Sequence, residues 1–227
     1  SKSSGTWAGS ISDVEAVTAT FGGTATINLE NVSGYDSLTV TANATVSTAT
    51  IKNLASSTLV LTEDNVEGGG DGEFATVSID TVDDAALTLN LKTNQEAAEA
   101  GTSDLGGLTI TDAASVSITT SGGEFGVAAN LTASSIALDD DETTSLSLDT
   151  SDYATLTTGN ITGSESVQSV TITADGAEAD VEVGSIVDAA NLSTVSITAS
   201  GLNADVEFGG GGEVGAIGAS EAASLTS

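Results

Sequence analysis

The 227-residue chain sets 33 aspartates and glutamates against three lysines and no arginine, a formal charge of −30. That excludes nucleic acid and anionic lipid surfaces as electrostatic partners. The absence of histidine and cysteine excludes Ser-His-Asp and Cys-His nucleophile arrangements, ordinary zinc sites and disulfides.

Only 3% of residues are aromatic, so a core must be built from Val, Ile, Leu, Ala and threonine methyls, and a thin stacked core fits that supply. No run of about 18 apolar residues occurs, so no membrane insertion is expected. Self-repulsion from so many acids costs stability unless cations gather on the folded form, which points to a salty or divalent-rich setting. A chain that opens on Ser1 with no methionine reads as a processed product or an excised fragment.

Residues 1–13 are small and polar around the only tryptophan, Trp7, and read as a frayed lead-in or as a cap over the open end of a core. From Val14 short alternating segments follow: VEAVTATF, TATINLENVSG, SLTVTA, TATIKNL and STLVLTE. They are rich in Thr and Val and joined by Asn, Gly and Ser, a strand spacing and not a helical one. A glycine-acid loop, Glu63 to Glu73, is predicted to project between strands. ATVSID and ALTLNLK resume the pattern. NQEAAEAGTSD, Asn94 to Asp104, has helix-forming residues closed by Gly101 and predicts one short helical turn. Beyond it come GLTITDAASVSITTSGG, LTASSIALDDDE, SLSLDT and YATLTTGNITG.

The clearest signal is a tandem repeat. VTITADGAEADVEVG (Val170 to Gly184) returns 25 residues later as VSITASGLNADVEFG (Val195 to Gly209), identical at ten of fifteen positions. Each copy reads strand, corner, strand, corner: Val170, Ile172 and Ala174 face one way and Thr171 and Thr173 the other, then Val181 and Val183 oppose Asp180 and Glu182. Gly176 and Gly201 are expected at the first corner, Gly184 and Gly209 at the second. A unit this small buries its apolar face only by stacking on its copies. Leu146 and Leu148 lie 24 residues before Val170 and Ile172, and Leu156 lies 25 before Val181, which extends the period upstream. The prediction is an all-β parallel β-solenoid of roughly 25-residue turns, nine or so if the stacking runs throughout, spanning 14–218 with a tail at 219–227; a β-sandwich is the alternative.

Segments such as VEAVTATFGGTATINLENVSGYDSLTVTANATV and NLSTVSITASGLNADVEFGGGG resemble the Thr/Ala/Gly-rich repeats of bacterial surface-layer proteins and of large secreted adhesins related to the repeats-in-toxin group. That resemblance implies a β-solenoid, export to the cell surface and calcium-dependent assembly into a lattice. One departure stands out. The stretch nearest the calcium nonapeptide G-G-x-G-x-D-x-U-x, Gly69 to Val77, has Phe74 where the aspartate belongs, so other acidic corners must be considered.

Calcium takes several hard oxygen ligands on flexible loops. The acidic groups that qualify are Asp139, Asp140, Asp141 and Glu142, then Asp71 with Glu73, and Asp83 with Asp84 at strand ends. In a 25-residue turn Asp180 lies over Asp205 and Glu182 over Glu207, and Asp180 and Asp205 are further candidate Ca2+ positions. A charged, solvated turn is the plain alternative at each. Paired carboxylates could serve a glycosidase, but sugar subsites want aromatic platforms, and Trp7, Tyr35 and Tyr153 are far apart; no enzymatic activity is expected. The Gly209 to Gly212 run lacks a nearby Lys or Arg and reads as a corner or hinge, not a phosphate cradle. Five Asn-x-Ser/Thr sequons, at Asn31, Asn43, Asn130, Asn160 and Asn191, are few enough to arise by chance in so Ser/Thr-rich a chain.

The functional expectation is an extracellular, cell-surface structural protein that self-assembles into a surface layer or sheath, its partner being itself. The alternatives are a stiff spacer in a large adhesin, reaching surface polysaccharide through another domain, and a pilus subunit that donates a strand such as Val14 to Phe21 to a neighbour.

Overall fold

The computed structural model of the chain describes residues 12–46, 48–55, 58–65, 72–95, 101–121, 129–138, 141–163, 165–208 and 224–226. Its strands are β1 Ala16–Phe21, β2 Ala25–Asn28, β3 Ser37–Ala42, β4 Ala49–Leu54, β5 Thr58–Asn65, β6 Thr76–Gln95, β7 Gly101–Ser121, β8 Ala129–Ala137, β9 Ser145–Ser151, β10 Ala154–Thr162, β11 Ser169–Asp175, β12 Asp180–Ile186, β13 Thr194–Ser200, β14 Asp205–Phe208 and β15 Ser224–Thr226. All pairings between them are parallel.

Two stacks of rungs result. One runs through β1, β3, β5, the second half of β6, the second half of β7, β9, β11, β13 and β15. The other runs through β2, β4, the first half of β6, the first half of β7, β8, β10, β12 and β14. Because β6 and β7 pass from one stack to the other, the stacks are two sides of one parallel β-solenoid, as the repeat predicts. The sandwich alternative falls because no pairing among the described residues is antiparallel, and β1 pairs with β3 of its own chain. The step between rungs varies: Ser37 lies beside Thr58, Thr58 beside Thr88 and Ser169 beside Thr194, steps of 21, 30 and 25 residues.

Alternation decides which side chains point in. Leu38, Leu59, Leu89, Ile118, Leu148 and Ile172 are successive partners and form one buried column. Leu131, Leu156 and Val181 form another from the opposite side, ending on the half-buried Val206, and both belong to a single core. Each fully buried aliphatic side chain contributes about 1.5–3 kcal/mol relative to exposure. Two of the buried threonines borrow acceptors from a neighbouring rung: Thr81 Oγ1 donates to the Asp112 carbonyl at 2.7 Å, and Thr143 Oγ1 to the Ala113 carbonyl at 2.8 Å. Glu207 is exposed and Phe208 half-buried, so the register read from the repeat is the register of the fold.

The corners repeat as backbone conformation even where the residue changes. Tyr153, Glu178 and Asn203, spaced 25 apart, have φ of 55°, 54° and 61°. Gly176 and Gly201 sit at the expected corner with φ of 112° and 127°, values that L side chains rarely adopt. Gly184 does not mark a corner. It lies inside β12, at a close approach of rungs that includes Gly159 of β10 and Ser134 of β8, where a Cβ on Gly184 would come within 2.9 Å of the Gly159 carbonyl carbon. Gly209 is outside the described residues.

The helical turn expected over Asn94 to Asp104 is not there in the described part. Asn94 and Gln95 close β6, Gly101 to Asp104 open β7, and residues 96–100 lie outside the described set. Asn94 and Gln95 on one side and Gly101 to Asp104 on the other are strand because Asn94 pairs with Asp64 and Gly101 with Ala129, and ladder hydrogen bonds to neighbouring rungs outweigh a few tenths of a kcal/mol of propensity.

Candidate functional site

The last turns of the second stack carry acids where the two turns before them carry Asn and Thr. Its outer face shows Asn130, Thr155, Asp180 and Asp205 in one column, and Thr132, Thr157, Glu182 and Glu207 in the next. Alternation in β12 and β14 puts them outside because Val181, Val183 and Val206 are taken up by the core. Asp180 is thereby placed directly over Asp205, and Glu182 over Glu207, one strand spacing of about 4.8 Å apart. Two like charges at that distance repel by about 1 kcal/mol even in water.

Between the four carboxylates lies a cleft of about 80 Å³, floored by Val181. Thr157 Oγ1 donates to Glu182 Oε2 at 3.2 Å, and the Val206 amide donates to Asp205 Oδ1 at 2.8 Å. Partial burial raises the Asp180 carboxyl above the ordinary aspartate value. The Asp205 charge raises it further, a backbone hydrogen bond from Asp205 opposes the rise, and Glu182 and Glu178 add smaller increases.

The sign of the consequence follows by linkage. A carboxyl whose folded value lies above its unfolded one weakens the fold at pH above the folded value, where it is ionised in both states. The penalty is relieved as pH falls through the folded value towards the unfolded one. Asp180→Asn should therefore raise the melting temperature at pH 7 in chelator, and the advantage over the wild type should shrink on acidification. Melts by circular dichroism at the two pH values check this; a variant less stable than the wild type at pH 7 would contradict it.

The other predicted acids are scattered. Asp141 is exposed and Glu142 half-buried in the turn before β9, while Asp139 and Asp140 lie outside the described residues. Glu73 is half-buried, its carbonyl accepting from the Val46 amide at 2.7 Å; Asp71 is outside the described set. Asp83 and Asp84 are not at a strand end. They lie within β6, where its register against β7 shifts between Asp80 and Ala85. Among the described residues no three acidic side chains converge into a metal-holding group. The acids at β12 and β14 line a cleft together without closing on one point.

Phe74, at the aspartate position of the nonapeptide-like stretch, is fully buried, so that segment serves the core. Its amide donates to Glu63 Oε1 at 2.9 Å, and Glu63 is only 3% exposed. The alternation Leu59, Leu61, Glu63 was the signal for this inward carboxylate, which reading Glu63 as the start of a loop misses. The outer face of the first stack is mostly hydroxyl: Ser117, Ser147, Thr171 and Ser196 are successive partners, as are Thr119, Asp149, Thr173 and Thr198. Of the sequon asparagines, Asn130 is half-buried and the other four are exposed, with Asn191 Nδ2 donating to the Glu165 carbonyl at 2.7 Å.

No family model matches the chain, and neither a curated protein nor a solved structure matches it significantly.

Proposed function

We propose that this chain is a structural, extracellular protein that self-assembles into a surface layer or sheath, with divalent cations, calcium foremost, joining its acidic surfaces. The observation that supports this reading is the contrast between the two faces: hydroxyl columns along the first stack, and in-register acidic columns at the end of the second. Both repeat at the strand spacing, so a second copy that matches one rung matches its neighbours. Calcium takes six to eight oxygens, more than the cleft at Asp180 and Asp205 converges on one point. The ion is accordingly assigned to the contact between copies, where carboxylates from two chains complete the shell and repulsion is cancelled. Cations bound by the assembled form and not by the unfolded chain stabilise it by mass action.

Electron microscopy and sedimentation of the purified chain test the reading. Calcium should produce sheets or filaments, chelator should disperse them, and sodium at equal ionic strength should not replace calcium. A chain that remains monomeric with calcium behaves as an adhesin spacer should, and the assembly reading is then wrong.

A further inference from the structure

The first rung leaves its inner side chains partly open. Val17 and Ile27 are half-buried, whereas Leu38, Val40 and Ile51, one rung further on, are completely buried. The cause is topological: among the described residues β1 has β3 as its sole partner and β2 has β4, so nothing described lies on the other side. The opening is a groove of about 360 Å³ whose lining includes Val14, Val17, Ile27, Leu29 and Val32. Exposed parallel edges above an apolar groove invite pairing with another chain unless covered, and solenoid ends need a cap.

We propose that the segment Ser1 to Ile11, which lies outside the described residues, covers this groove with the Trp7 indole seated against Val14, Val17 and Ile27. Three observations support this occupant. The first is tether length. Ser12 is the first described residue and Val14 already lines the groove, so Trp7 is attached five residues from Ser12, a reach of about 17 Å across sheets about 10 Å apart. The second is size, because an indole is the largest apolar side chain available and buries about 150–250 Å² in a chain with a single tryptophan. The third is charge. Residues 1–12 contain Lys2 and no acid, whereas Asp13, Glu15 and Glu30 are exposed beside the groove. The left-handed φ of 61° at Asp13 turns the chain three residues before β1.

A sole tryptophan makes intrinsic fluorescence of the full chain a reporter of this one contact. Trp7 emission in buffer should be blue-shifted relative to the urea-unfolded chain, several-fold less quenched by acrylamide, and unchanged on dilution. Val14→Asp, at the rim where unfolding is not expected, should shift the emission to the red with the β circular dichroism intact. Trp7→Ala should lower the melting temperature, and its β spectrum at low temperature shows whether it folds. Emission and quenching equal to those of the unfolded chain would overturn the proposal. So would a blue shift that disappears on dilution together with an oligomer in sedimentation, which would assign the groove to a second copy.

Discussion

Val181→Asp is expected to unfold its turn of the solenoid, while Thr171→Asp leaves the melting temperature nearly unchanged. Val181 is fully buried between Leu156 and Val206 in the column of the second stack; Thr171 is exposed on the first. The replacement removes about 1.5–3 kcal/mol of apolar burial. It also leaves a carboxyl in the core beneath Asp180 and Glu182, in a column whose neighbours, Leu156 and Val206, are apolar and offer it no partner. A combined cost of about 4 kcal/mol or more is a large share of a typical stability of about 5–15 kcal/mol, and for a chain this long it corresponds to a melting shift of roughly 8–16 °C. Thr171→Asp adds only one more solvated charge, within about 0.5 kcal/mol. Thermal melts of the two variants compare them directly, and equal effects would show that the inward assignment of β12 is mistaken.

Gly159→Ala should be nearly as damaging, although it adds one methyl group. A Cβ at Gly159 would run into the Ser134 carbonyl oxygen, a backbone atom held in the β8 ladder. The rungs would have to separate there, and Gly184 stacks on Gly159 in the next turn. A cost of about 2–3 kcal/mol, the upper part of the overpacking range, is expected. Gly23→Ala is the control. A Cβ there meets nothing within 4 Å, so it should be neutral or gain up to about 1 kcal/mol from a less flexible unfolded chain. If chemical denaturation finds the two substitutions alike, the close approach of the rungs at Gly159 is not a packing constraint.

The sequence by itself determined the parts of this protein that repeat. Ten identities in fifteen at a step of 25 residues place Asp180 on Asp205 and Val181 on Val206, because a parallel solenoid turns a repeat length directly into a register. Alternation then separates core valines from surface acids, so the acidic columns were legible before any coordinates. The tertiary structure decided what does not repeat. Steps of 21 and 30 residues around β5 carry no periodic signal, since a corner absorbs extra residues without disturbing the rungs it joins. Residues 94–95 and 101–104 became strand because partners far away in sequence were waiting at Asp64, Asn65 and Ala129 to Thr132. Glu63 went inward because the Phe74 amide supplied the donor that a buried carboxylate requires. In each case the deciding interaction joins residues whose separation local propensity and a fixed period cannot register.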